Sequence, residues 1–222
     1  MLTNLFTIFD PSTFIFSLNW MSTLFLLILF PHFYWLFNSR FMYLYKYFLK
    51  ILIDEYKIIM KFNFNLNNLL YFIVLFLFIM FNNFMGLFSY IFTSSSHLIY
   101  SMVFSLSMWL GLMIFGWFKN TKFMFAHLVP QGTPFMLMFF MVLIEMLSNI
   151  IRPLTLCVRL TANMIAGHLL ITLLSSFIPK MIFMYFIVLL CQMLLLVLEM
   201  AVSIIQSYVF VILMILYMKE TN

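Results

Sequence analysis

The hydrophobic positions of this chain gather in five long stretches with short polar segments between them. The stretches cover residues 14–37, 66–92, 97–118, 135–177 and 181–218, and each reaches the ~20 residues that a helix needs to cross a bilayer. At ~1.5 Å per residue, a helix over 135–177 would extend about 60 Å, twice the thickness of the hydrocarbon core. The pattern predicts a single all-α polytopic membrane domain over 1–222, with about five membrane-crossing helices.

The segment from residue 40 to residue 61 follows a different pattern. Seven charged residues fall within these positions, which excludes a membrane-crossing helix. Its charges recur at helical spacing between aromatic and aliphatic residues, as at Arg40, Lys46, Lys50, Asp54, Lys57 and Lys61. We therefore expect an amphipathic helix over 40–61 that lies on the membrane surface.

Turn-forming residues place the main connections. Residues 119–134 contain Pro130, Gly132 and Pro134, which predicts the one substantial loop, with His127 as a solvated side chain. Pro179 marks a short turn between the two longest stretches, so these are expected to form an antiparallel hairpin. Pro153 leaves two possibilities for the first of them: one steeply tilted helix, or a break into two shorter pieces.

Composition agrees with the pattern and narrows the function. The 222 residues are 66% hydrophobic and 8% charged, far below the roughly one quarter that is usual in soluble domains. Neither G-x-x-x-x-G-K-[ST] nor G-x-G-x-x-G occurs, so we expect no nucleotide binding, no cofactor and no enzymatic activity of the chain by itself. The formal charge of +5 is spread beside the spans, which does not indicate a nucleic-acid partner.

The basic residues at the ends of the spans predict the topology. With five crossings, eight of them fall on one side of the membrane, namely Arg40, Lys46, Lys50, Lys57, Lys61, Lys119, Lys122 and Lys219. Only Lys180 falls on the other side. Because basic residues are enriched on the inner side, the N-terminus is expected outside and the C-terminus inside.

Charged side chains interrupt the two longest apolar stretches. The first carries Glu145, Arg152, Arg159 and His168, and the second carries Glu199 and Glu220. An arginine at the centre of a bilayer costs roughly 2.5–3.5 kcal/mol on insertion scales. These side chains must therefore face protein or water, and we interpret them as groups that handle charge inside the membrane.

Folding the hairpin at Pro179 predicts how these groups are distributed. Arg159 and Glu199 are each twenty residues from the turn, so strict antiparallel pairing would place them at a similar depth. Gln206 would then lie about 10 Å further inward. His168 and Glu199 would belong to the outer half of the membrane, and Glu145 and Glu220 to the inner half.

This distribution suggests a mechanism for proton movement. Carboxylates and imidazoles exchange protons, whereas a guanidinium stays charged. Two titratable sets divided by Arg159 would form two half-channels that do not connect, and a moving carboxylate on another protein would carry the proton between them.

Four other interpretations remain open at the level of the sequence. Arg159 and Glu199 could form a plain buried ion pair, and the polar side chains Ser148, Asn149, Ser203 and Gln206 could be interhelical hydrogen-bond glue. The chain could also be an ion-coupled secondary transporter or a membrane anchor of a respiratory complex. A transporter would usually show internal repeats and glycine-broken helices, and we find no such repeat.

Two segments of the hairpin resemble a known family. RPLTLCVRLTANMIAGHLL at 152–170 resembles the signature of subunit a of F-type ATP synthases, and EMAVSIIQSYVFVILMILYMKE at 199–220 resembles the last helix of that family. The opening NLFTIFDPS and the loop VPQGTP resemble the mitochondrially encoded animal members. The resemblance covers nearly the whole chain.

The resemblance implies a place and a set of partners. The chain would lie in the inner mitochondrial membrane beside the rotating ring of c subunits, with its two long helices steeply tilted along the ring. It would contact other membrane-sector and stator subunits. Arg159 matches the arginine that faces the ring carboxylates, and Asn163 and Gln206 match polar residues close to it.

The resemblance also implies roles for the titratable residues. His168 and Glu199 match the half-channel that opens to the intermembrane space, and Glu145 and Glu220 match the one that opens to the matrix. It puts Gln206 near Arg159, where the hairpin arithmetic puts Glu199. The two expectations differ by about two helical turns.

Overall fold

Helices make up all the regular secondary structure in the described part of the chain. The structure is a computed structural model, which describes residues 5–13, 16–29, 31, 37, 39–60, 66–88, 90–129, 134–177 and 185–221. The α-helices are α1 (Ser22–Leu29), α2 (Arg40–Met60), α3 (Leu66–Gly86), α4 (Leu98–Lys119), α5 (Thr121–Leu128), α6 (Phe135–Phe177) and α7 (Tyr185–Thr221). Short 3₁₀ turns cover Leu5–Phe9, Leu18–Met21 and Ser94–Ser96.

Four of these helices, α3, α4, α6 and α7, are long and apolar enough to cross a membrane. This confirms the predicted class of all-α polytopic membrane protein. The predicted first crossing at 14–37 is described only in part, as the 3₁₀ turn Leu18–Met21 followed by α1. The rest of that prediction lies largely outside the described residues.

The second crossing is shorter than the predicted 66–92, because α3 ends at Gly86. The chain folds back there, and a Cβ atom at Gly86 would lie 3.2 Å from both Thr93 Cγ2 and Met164 Cε. Asn82 and Asn83 are buried near the end of this helix. The other bounds lie closer to the predicted ones: 97–118 is observed as Leu98–Lys119, and 181–218 as Tyr185–Thr221, with 181–184 outside the described residues.

The prediction of a loop throughout residues 119–134 is wrong, because α5 occupies Thr121–Leu128. The backbone N–H of Asn120 still bonds to the carbonyl of Gly116 at 3.0 Å, and α5 starts at the next residue. The helix breakers of this segment begin only at Pro130, after α5 has ended. His127 is exposed, as predicted, but it belongs to a helix.

Helix α2 uses one face to pack against the membrane helices. Leu52, Tyr56 and Met60 are buried in the core shared with α3 and α7. Burial raises the pKa of the Tyr56 hydroxyl well above its usual value. A hydrogen bond from the Tyr208 hydroxyl to Glu55 Oε2, 3.1 Å long, also joins α2 to α7. The predicted surface helix is therefore also a packing element of the bundle.

Helix α6 is continuous through Pro153, which decides between the two possibilities that the sequence leaves open. Its antiparallel partner is α7. Arg152 contacts Glu220 beside the end of α7 at Thr221. We name this direction along the hairpin, toward Thr221 on α7 and Phe135 on α6, the open end. The opposite end, where Phe177 and Tyr185 lie, is named the turn end.

The register of this hairpin differs from the predicted one. Gly167, eight positions after Arg159, lies beside Glu199, since a Cβ atom on Gly167 would be 2.5 Å from Glu199 Oε1. The arithmetic assumed a turn centred on Pro179, whereas the described helices leave the whole segment 178–184 for the connection. Arg159 consequently lies about 12 Å from the level of Glu199, toward the open end. On α7, Gln206 likewise lies on the open-end side of Glu199.

Candidate functional site

A buried carboxylate and an imidazole form a turn-end cluster on the hairpin, which consists of Gly167, His168 and Glu199. Glu199 is only 8% exposed, and neither of its carboxylate oxygens has a hydrogen-bond partner among the described residues. His168 Nε2 is likewise buried without a partner there, and the ring lies edge-on to Phe9 with 6.3 Å between centroids. Buried polar groups are normally satisfied by protein or water, so this cluster is suited to contact with water.

Gly167 makes this cluster possible. A side chain at this position would occupy the space that the Glu199 carboxyl group fills, with Cδ at 2.8 Å and Oε1 at 2.5 Å from a Cβ atom. Glycine lets the two helices approach closely enough for the carboxyl group to lie against the backbone of α6. The adjacent His168 follows on the same helix.

A second group of charges forms an open-end cluster of Glu145, Arg152, Tyr217 and Glu220. Arg152 Nη1 donates to Glu220 Oε2 at 2.8 Å, and Arg152 Nη2 lies 3.8 Å from Glu145 Oε1. The guanidinium carbon also lies 5.4 Å from the centroid of the Tyr217 ring. These side chains line a cavity of about 250 Å³, together with His127 of α5.

Close packing at Gly116 brings three helices together beside this cavity. A Cβ atom at Gly116 would lie 3.2 Å from Met124 Sδ and 3.3 Å from Thr221 Cβ, so α4 approaches α5 and α7 at two residues that line the cavity. The cavity lining also includes Trp109 and Trp117 of α4 and Asn149 of α6. The lining of the cavity therefore combines aromatic and charged side chains.

Arg159 lies between the two clusters and belongs to neither. It is exposed on α6, and the ion pairs of the described residues involve Arg152 instead. Seven positions separate it from Arg152 and nine from His168, which correspond to about 10 Å and about 13 Å along the helix. Asn163 is exposed one turn further along α6. Gln206 is half-buried on α7.

The structure excludes one of these interpretations and bears on another. Arg159 and Glu199 do not form an ion pair, because they lie at different levels of the hairpin. Of the four side chains named for interhelical hydrogen bonds, the hydroxyls of Ser148 and Ser203 each donate to a carbonyl of their own helix, at 2.8 and 2.7 Å. These two serines therefore do not donate a hydrogen bond to another helix.

Sequence reasoning names Arg152 among the charges inside the membrane but misses its partners, which are two carboxylates from different helices. It also misses two other residues of these sites. The pattern assigns His127 to a loop, although it lies on α5 and lines the cavity. Gly167 gave no signal of its own, because a close helix approach is visible only when both helices are in place.

Comparison with known proteins identifies the family. The family model described as "ATP synthase A chain" matches residues 18–219. The chain belongs to this family. Proteins named "ATP synthase subunit a" from Drosophila melanogaster, Aedes aegypti and Anopheles gambiae are each 54% identical to it, and each match covers 100% of both chains.

This membership confirms the resemblance that the motifs at 152–170 and 199–220 carry. It also excludes the two alternatives of a secondary transporter and a membrane anchor of a respiratory complex. The matched range includes α2 through α6 and nearly all of α7, so Arg159 and both polar clusters except Glu220 lie within the family region.

Proposed function

We propose that this chain is the proton-translocating subunit of the ATP synthase membrane sector in the inner mitochondrial membrane. It contains two offset half-channels divided by Arg159, and it exchanges protons with carboxylates of a rotating c-ring. Other membrane-sector and stator subunits hold it beside the ring. The N-terminus lies in the intermembrane space and the C-terminus in the matrix, and nucleotide chemistry belongs to other subunits.

The observation that carries this proposal is the separation of the two titratable clusters. Glu199 and His168 lie toward the turn end, and Glu145 and Glu220 lie toward the open end. With the proposed topology, the turn end faces the intermembrane space and the open end faces the matrix. Each cluster then serves the compartment nearest to it.

Arg159 divides the clusters because its charge is permanent. A guanidinium does not deprotonate in proteins, so no proton can be relayed through it. Its exposure on α6, away from the carboxylates of this chain, leaves it available to a carboxylate of a neighbouring protein. Asn163 and Gln206 provide amide groups near this position, which can orient that carboxylate by hydrogen bonds.

The proton path follows from this arrangement. A proton from the intermembrane space reaches His168 and Glu199 and is passed to a ring carboxylate. The neutral carboxyl group can then enter the lipid as the ring turns, because it no longer carries a charge. After nearly one rotation, the group meets the second half-channel and releases its proton toward Glu145 and Glu220.

Cysteine labelling tests the two half-channels directly. Leu195 lies one turn from Glu199 toward the turn end, and Asn149 lines the open-end cavity. In a Cys191→Ser background, we expect a membrane-impermeant maleimide to label Leu195→Cys only from the intermembrane side. The same reagent should label Asn149→Cys only from the matrix side, with mitoplasts and inverted vesicles as the two preparations.

Labelling of one position from both sides would contradict separate half-channels. A reversed pattern would contradict the proposed topology and leave the separation intact. Cys157, which is buried and 2.9 Å from the Ser101 hydroxyl, can remain in the chain as an unlabelled internal reference.

Gly167→Ala is expected to slow proton transfer without loss of assembly. The added methyl group would overlap the end of the flexible Glu199 side chain, so the carboxyl group must move while the helices stay in place. A displacement of ~1 Å at a reacting group can cost up to ~100-fold, and we expect a decrease of roughly 10- to 100-fold in ATP-driven proton pumping.

Gly111→Ala is the matched control for this variant. Nothing lies within 4 Å of a Cβ atom at Gly111, so pumping should stay at the wild-type rate. Equal rates for the two variants would remove the close contact at Gly167 from the mechanism.

A further inference from the structure

Arg152 has no role in the path described so far, although it is the charged centre of the open-end cluster. It contacts Glu145, seven residues earlier on its own helix, and Glu220 on α7. A second arginine inside an apolar hairpin needs a reason, because each one is costly to insert. The geometry of its two contacts supplies that reason.

The two carboxylates are not held equally. The contact with Glu220 is a direct hydrogen-bonded ion pair of 2.8 Å, whereas the nearest approach to Glu145 is 3.8 Å. Tyr217 contributes to the difference, since its ring lies 5.4 Å from the guanidinium carbon and comes from the same helix as Glu220. A cation over an aromatic face is attracted to it, which favours the orientation of Arg152 toward α7.

Stability does not explain this arrangement. The side chains of Arg152 and Glu220 are 30% and 51% exposed in the isolated chain, and ion pairs with such exposure contribute little to folding. The contact instead fixes where the two carboxylates lie relative to the cavity.

We propose that Arg152 is a positioning residue of the inner half-channel, which binds Glu220 and leaves Glu145 as the carboxylate that exchanges protons with the cavity. This inference rests on the proposed function. To accept a proton, Glu220 must first leave the guanidinium, whereas Glu145 need not break a direct hydrogen bond to it. The proton moves from the ring carboxyl group to the Glu145 carboxylate and then to water, with only O–H bonds broken and formed.

The other groups facing the cavity are consistent with this assignment. Its titratable and charged lining among the described residues consists of His127 from α5, Glu145 and Arg152 from α6, and Tyr217 and Glu220 from α7. From α4 the cavity receives the uncharged Trp109 and Trp117. Arg152 is therefore the one permanent cation of this lining, and any change in its partner changes the field at Glu145.

Substitutions that neutralise these charges in the assembled complex test the inference. Glu145→Gln should reduce proton transfer by about 100-fold, because an amide cannot accept the proton. Glu220→Gln should reduce it about tenfold, because the guanidinium is left with Glu145 as its carboxylate partner in the cavity and binds it directly. The double variant Arg152→Gln/Glu220→Gln removes both members of the pair, and its rate should recover at least severalfold over that of Glu220→Gln.

Two further variants keep the test decisive. Arg152→Lys retains the positive charge, so it should transfer protons faster than Arg152→Gln. The lysine variant also keeps the test possible if Arg152→Gln does not assemble. Ser148→Ala removes a hydroxyl that bonds only to the Glu145 carbonyl of its own helix, and it should pump at the wild-type rate. Native gels measure the amount of assembled complex, and acidification of inverted vesicles measures proton transfer.

The possible failures are distinguishable. If Glu145→Gln pumps normally and Asn149→Cys cannot be labelled from the matrix side, the proposed inner half-channel is wrong. If Glu145→Gln stops pumping but the double variant is no faster than Glu220→Gln alone, the positioning role of Arg152 is wrong and the half-channel remains. A normal rate for Glu145→Gln with matrix-side labelling intact would move the exchanging role away from Glu145.

Discussion

Replacing Arg159 by Gln is expected to abolish coupled ATP synthesis while the complex still assembles. The side chain is exposed on α6 and forms none of the ion pairs seen among the described residues, so its loss leaves the internal packing of this chain intact. A ring carboxylate would then have to pass without a counter-charge. At roughly 2.5–3.5 kcal/mol for an uncompensated charge in the bilayer, the step should become about 100-fold slower.

The measurement is ATP synthesis driven by an imposed proton gradient, normalised to assembled complex on native gels. Thr155→Val is a suitable control, because Thr155 is exposed one turn earlier on α6 and its hydroxyl donates only to the Arg152 carbonyl, at 2.9 Å. If the Arg159→Gln variant synthesises ATP at the normal rate, the proposed role of Arg159 in dividing the half-channels is wrong. Loss of the assembled complex would point to a structural role instead.

A leak is the second way in which this variant can fail to couple. Each proton that crosses directly between the half-channels wastes about 2.3 kcal/mol per 100 mV of membrane potential. Passive proton flux through the complex, measured with ATP synthesis blocked, separates a leak from a simple stop. Either result agrees with the proposed division of the half-channels, whereas unchanged coupling does not.

Glu199→Gln has the second largest expected effect, a decrease of about 100-fold in proton transfer. Gln has the same shape but cannot accept a proton. The Glu199 carboxylate is buried and has no hydrogen-bond partner in the described part of the chain, so the substitution breaks no ion pair there. Because an unpaired buried charge is unfavourable, assembly should be unchanged or slightly improved.

Ser203→Ala provides the comparison for this variant. Ser203 is buried one turn further along the same face of α7, and its hydroxyl donates to the Met200 carbonyl at 2.7 Å. Its loss should cost at most ~1 kcal/mol of stability and leave pumping unchanged. If Glu199→Gln pumps as well as Ser203→Ala, Glu199 is not on the proton path.

The sequence by itself determined the class of the protein and most of its helices. Long apolar runs can be stable only in lipid or in a core, and their lengths predict helices close to those observed, such as 135–177 for α6. Local patterns were also enough to place charges on the two long helices, because residues three and four positions apart share a helix face. The motif at 152–170 led to the family that the comparisons show.

Only the tertiary structure decided which of these charges meet. Helical periodicity is a property of one segment, and it carries no information about the register between two segments. That register depends on the length of the connection at 178–184 and on close approaches at Gly167 and Gly116. Arg152 meets Glu220, and Glu199 lies beside Gly167 instead of Arg159, because residues far apart in the chain pack at those two glycines.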